Sequence, residues 1–145
     1  TRTAPMAADV CGHADAGATA LREAKYAWAG QLRASGDRDQ ALKLYKELAS
    51  DVKTREGSEA AYYVIEALFE SGDLDKTESE VFAFSDREPN AYWLAKAFLL
   101  LGDVYVRKGD TFQARATYQS VADGYSPADD GIVDEAKERI AKLKN

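Results

Sequence analysis

The chain holds one cysteine and one histidine, Cys11 and His13, and only this pairing could join a thiolate to an imidazole base. Such a pair works only when a scaffold fixes the two groups within hydrogen-bond reach. Here both lie in a segment with seven alanines among residues 1–20, where no predicted element holds them, so Cys11 reads as an ordinary thiol. One histidine and one cysteine also leave a zinc site short of ligands, and Asp129-Asp130-Gly131 lacks the alternating oxygen donors of a calcium loop. Glu66 and Glu70 stand one helical turn apart, yet the sequence offers no apolar or cationic neighbour to drive two carboxylate pKa values apart. They read instead as a solvated or peptide-binding helix face. No glycine-rich phosphate loop is present. The expectation is a chain with no catalytic residue, cofactor or metal, and so not an enzyme.

The elements that would position any site are helices. With 145 residues, 46% hydrophobic and 30% charged, the chain has the size and composition of one globular domain. Its formal charge of −6, with basic residues scattered among acids, argues against nucleic acid as a partner. The apolar run at residues 97–101 falls far short of the roughly 20 residues that cross a bilayer, so direct membrane insertion is not expected. Residues 1–20 read as an N-terminal extension or a truncated preceding repeat, loosely held because Met6 and Val10 are their only large aliphatic side chains. The start at Thr1 reads as a processed protein or a piece of a longer one.

From residue 21 onward the pattern repeats. Gly36-Asp37 returns as Gly72-Asp73 and Gly109-Asp110, the glycines 36 and then 37 residues apart, which is the mark of stacked helical hairpins. In the first hairpin Leu21, Ala24, Tyr26, Trp28, Ala29 and Leu32 fall at helical spacing. Asp37, with Gln40 as capping-box partner, then opens a return helix carrying Ala41, Leu42, Leu44, Tyr45 and Leu48. In the second, Ser58 is predicted to cap a helix through Glu70 with Ala61, Val64, Ile65 and Leu68 inward, answered by Val81 and Phe84. In the third, Asn90 caps a helix with Leu94, Phe98, Leu101 and Tyr105. Phe112, Ala114, Tyr118 and Val121 answer it, after a second box at Asp110 and Gln113. Pro89 and Pro127 close the last two units. Beyond Gly131, Ile132, Ala136, Ile140 and Leu143 make one narrow apolar face on a polar helix, the layout of a terminal cap.

These residues resemble the tetratricopeptide repeat family. Its bulky-then-small pair in the first helix is matched by Trp28-Ala29 and Leu101-Gly102, with Val64-Ile65 departing, and the next-turn position by Leu32, Leu68 and Tyr105. Its small residue in the second helix is matched by Ala41 and Ala114, with Thr77 departing, so the middle hairpin is expected to pack less well. The resemblance implies an all-α, right-handed solenoid of three hairpins at about 22–55, 58–91 and 95–128, within residues 21–128, plus a capping helix in 129–145. It also implies a non-enzymatic scaffold or adaptor that binds a protein or peptide. The run from Ala91 to Phe98 leading into Leu101-Gly102-Asp103-Val104-Tyr105 looks like the C-terminal repeats of large bacterial cell-envelope members. The expected compartment is therefore the periplasm or envelope, with the cytoplasm as the alternative. A self-associating module, part of a larger repeat protein or a homo-oligomer, is the alternative function.

In that family the first helices line a concave groove, which the resemblance places on Glu23, Tyr26 and Arg33, on Glu59, Tyr62, Glu66, Phe69 and Glu70, and on Lys96, Leu99, Asp103, Val106 and Arg107. Tyr26 and Gly30 stand where the chaperone-tail clamp of the family has basic and amide residues, so that ligand is not expected. Tyr92 and Trp93 extend the third hairpin's first helix, either covering the turn after Pro89 or standing as anchors.

Overall fold

The computed structural model describes the backbone of residues 3–143 and the side chains of residues 16–143. Along these residues run α1 (Thr3–Ala34), α2 (Arg38–Leu48), α3 (Arg55–Glu70), α4 (Leu74–Asp86), α5 (Ala91–Arg107), α6 (Thr111–Gly124) and α7 (Ile132–Ala141). The protein is an all-α helical-repeat solenoid: α1–α2, α3–α4 and α5–α6 are hairpins, and α7 closes the stack against α6. The first helix begins at Thr3 rather than near residue 21. The side chains of Met6, Val10, Cys11 and His13 lie outside the described residues. No helix among the described residues is long and apolar enough to cross a membrane.

The three Gly-Asp turns share one geometry. Gly36, Gly72 and Gly109 have φ of 90°, 86° and 80°, a left-handed conformation that costs glycine nothing and side-chain-bearing residues much more. Each following aspartate is the N-cap of the return helix, Asp37 accepting from the Gln40 N–H at 3.3 Å and Asp110 from the Gln113 N–H at 3.0 Å. The backbone N–H groups that a capping box would hand to Gln40 and Gln113 are donated instead to the Leu32 and Tyr105 carbonyls, both at 2.9 Å. Closure of the preceding helix has taken the donor, so the glutamine three residues on is left to other work.

The second hairpin starts earlier than expected. Thr54, not Ser58, caps α3, accepting from the Gly57 N–H at 2.9 Å. Ser58 lies inside the helix and is fully buried, its hydroxyl donating to the Val52 carbonyl at 2.6 Å and accepting from the Asn90 N–H at 2.9 Å. One hydroxyl thus joins the α2–α3 turn to the residue that caps α5. Ser58→Ala strands both backbone groups in the interior, and we expect it to cost about 2 kcal/mol. The check is a lower urea midpoint at unchanged slope; an unmoved midpoint would show that water can satisfy both groups.

Small residues sit where helices meet. Ala29, Ala41, Ala114 and Thr77 are buried, and Thr77 satisfies its own hydroxyl on the Asp73 carbonyl at 2.7 Å. Ile65 is buried as well, yet α3 and α4 touch each other less than the helices of the other two hairpins do, as the departures from the pattern predict. Four residues of the expected stripes are not inside: Leu21 is 57% exposed, Trp28 54% and Phe112 82%, and Ala24 is exposed too. Between hairpins, Lys108 reaches Asp75 at 2.6 Å and Glu78 at 3.0 Å, while the Tyr105 hydroxyl donates to Glu78 at 2.6 Å. The bond from Tyr105, then that from Lys108, holds the Glu78 carboxyl below its usual range.

Candidate protein-binding face

First helices pack on one another in turn, α1 lightly on α3, α3 on α5 and α5 on α7, whereas α2 and α4 are joined past their C-terminal ends, where Arg87 donates to the Ala49 and Ser50 carbonyls at 2.8 and 3.1 Å. The first helices thus share one side of the stack, the inner side on which the groove is expected. On that side the expected groove residues meet each other across successive repeats.

At the α1–α3 step the Tyr26 hydroxyl donates to both oxygens of Glu59, at 2.8 and 2.9 Å, and the Tyr63 hydroxyl donates to the same carboxylate at 2.9 Å. Glu59 is 8% exposed, so two phenols take over the solvation that water would give it. Burial, and then the bond to Glu59, push the Tyr26 phenol up to about 12. A turn further on, Arg33 faces Glu66 at 3.4 Å with its guanidinium 3.8 Å from the Tyr63 ring centre, and Arg38 meets Glu70 at 2.6 Å. Glu66 and Glu70 are accordingly ion-pair partners, not a carboxylate dyad. Beneath these pairs, between α1, α2 and α3, lies a pocket of about 320 Å³ floored by Ala41, Leu42, Tyr45, Tyr63 and Ala67.

The α3–α5 step is aromatic. Trp93 stands 5.5 Å from the Tyr62 ring and 5.8 Å from Tyr63, with Tyr92 edge-on at 5.0 Å, and Tyr45 extends the chain to Tyr63 at 5.0 Å. Lys96 hangs over Tyr62 at 5.9 Å, and Arg107 lies 4.1 Å over Phe69. These are cation–π distances. Tyr63, Phe69, Tyr92 and Trp93 are each half-buried.

At the α5–α7 step Asp103 accepts from the Tyr118 hydroxyl and from Arg139 at 3.1 and 3.3 Å, while Arg139 also holds Glu135 at 2.7 Å. Burial raises the Asp103 carboxyl pKa, against the lowering effect of the Tyr118 bond and the Arg139 charge. The capping helix is thereby clipped to the inner face.

Not every expected groove residue is there. Leu99 is 1% exposed and belongs to the core. Val106 is exposed, on the side of α5 that also carries Leu99 and Gly102. Tyr62 is 8% exposed and packs between repeats. Glu23 is exposed near the open end of the stack. The sequence reading did not assign Tyr63, Glu135 or Arg139 to this face, and it left Trp93 between two roles. Their signal was the helical phase of α3, α5 and α7, which an error of one residue shifts to the neighbouring face.

The carboxylates of this arrangement are engaged by phenols or guanidinium groups, and among the described residues no group of three His, Cys, Asp or Glu side chains is gathered as metal ligands would be. Rings with cations above them, along the inner face, are suited to receiving another chain. Residues 96–126, which run through most of the α5–α6 hairpin, match the family model of the tetratricopeptide repeat. No significant match to a curated protein was found.

Proposed function

We propose that this tetratricopeptide-repeat chain is a non-enzymatic scaffold that captures a peptide or protein segment along the inner face of α1, α3 and α5. The observation that carries the reading is the row of half-buried rings, Tyr63, Trp93 and Phe69, with Arg33, Lys96 and Arg107 placed over them or their neighbours. A solenoid core needs no such rings on its inner surface, whereas half-buried aromatics flanked by mobile cations are what binding hot spots use. The envelope-type run through α5 makes a bacterial envelope assembly the setting to test.

Replacing Phe69 and Trp93 together with alanine is expected to weaken partner binding by about 2 kcal/mol or more. The measurement is capture from periplasmic and cytosolic bacterial extracts, with the identified partner then titrated against wild type and variant. Helicity by circular dichroism must stay unchanged, because Trp93 also packs on Tyr62. Undiminished capture by a folded double variant would move binding off this face, and capture confined to the cytosolic extract would remove the envelope assignment.

A further inference from the structure

The face of α1 that carries Leu21, Ala24 and Trp28 differs from the corresponding face of α3 and α5. By the Gly-Asp register, Ala24 corresponds to Ala60 and Ala97, and Trp28 to Val64 and Leu101. In α3, Ala60 and Val64 pack against Ala41, Tyr45 and Leu48 of α2. In α5, Ala97 and Leu101 are in the cluster with Val81 and Phe84 of α4, and Phe98 and Lys108 beside them reach α4 through Phe82 and Glu78. At both later positions, then, this face is covered by the second helix of the preceding hairpin. In α1 the same face is uncovered: Leu21 and Trp28 are more than half exposed and Ala24 is exposed. The other end differs. The stack closes there with α7, whose Asp134, Lys137 and Glu138 face solvent, as a terminal element requires.

We propose that the Leu21–Ala24–Trp28 face docks an amphipathic helix of the α2, α4 and α6 kind, supplied from outside these seven helices. Continuity with the α2–α3 and α4–α5 interfaces sets the occupant: a helix with an aromatic or aliphatic stripe that enters the next first helix. The protein's own helices of this kind are taken, α2 by α3, α4 by α5 and α6 by α7. A second copy therefore has no free helix of the right type to offer head to tail. The inference does not depend on the inner face binding anything.

The test uses peptides spanning residues 37–50, 73–87 and 110–125, each held helical by a lactam bridge on its polar side. They are titrated into the Trp93→Phe protein, where Trp28 is the only tryptophan. At least one peptide is expected to move the Trp28 emission saturably to shorter wavelength. Ala24→Glu, at an exposed position, should weaken that peptide about tenfold or more with helicity unchanged, a change of about 1.4 kcal/mol. No spectral change up to about 1 mM peptide, the range where affinities fade to about −4 kcal/mol, would overturn the proposal. It would equally be overturned by sedimentation showing a dimer that Ala24→Glu dissolves, since the occupant would then be a second copy.

Discussion

Gly57→Ala is expected to be among the most damaging single-methyl changes in this protein. A Cβ built on Gly57 falls 1.8 Å from the Asp51 carbonyl oxygen, 2.7 Å from its carbon and 2.8 Å from the Thr54 hydroxyl. Two of these atoms are backbone, so no side-chain rotation relieves the clash, and the α2–α3 turn itself must move. That turn carries the Thr54 cap on α3 and the Val52 carbonyl that receives the Ser58 hydroxyl. Losing a cap costs about 1 kcal/mol, and a buried polar group left unpaired costs about 1 to 3 kcal/mol. We expect a total of about 3 kcal/mol or more, which for a domain of this size lowers the melting temperature by about 10 °C. Calorimetry checks it. A variant melting with the wild type would mean that the turn relaxes freely and is not tied to α3.

The second large effect is at Gly102, where α5 and α6 cross. A Cβ here would lie 2.1 to 2.7 Å from three ring atoms of Tyr118. Tyr118 is 2% exposed and its hydroxyl is committed to Asp103, so the ring cannot swing away without breaking the bond network that also holds Arg139. Gly102→Leu should destabilise by about 3 kcal/mol, the upper end for overpacking a close contact. Gly30→Ala is the matched control. Gly30 also lies inside a helix, but a Cβ there meets nothing within 4 Å, so alanine should stabilise by about 0.5 to 1 kcal/mol through helix propensity alone. Urea midpoints of the two variants should move in opposite directions. If both moved the same way, the contact between Gly102 and Tyr118 would not be what limits the site.

Gly102 was foreseeable from the sequence and Gly57 was not, and the difference is physical. The small residue after a bulky one in Leu101-Gly102 is part of a pattern that recurs along the chain, whereas Gly57 is small because of a carbonyl six residues back in an irregular turn. The Gly-Asp turns and the aspartate caps were legible, because each is fixed by interactions within about one helical turn, and so were the apolar stripes apart from such members as Leu21, Trp28 and Phe112. The sequence reading chose Ser58 as the α3 cap, although Thr54 has the same capping chemistry. Asn90, 32 residues away, decided between them by occupying the Ser58 hydroxyl.

On the inner face the sequence determined which residues first helices would carry, and the stacking offset determined what they do. Arg33 meets Glu66 and Arg38 meets Glu70, at separations of 33 and 32 residues, so carboxylates that look alike one turn apart in sequence become ends of two inter-repeat bridges. Leu99 turned into the core, and Tyr63 joined the inter-repeat bonds of this face, through differences in helical phase that no local pattern resolves. Trp28 marks the boundary most plainly. Its residue type and register are those of a covered position, as Val64 and Leu101 are covered, and sequence determines that much. Whether a helix lies over it is a tertiary matter, because burial is a property of the neighbour as well as of the side chain.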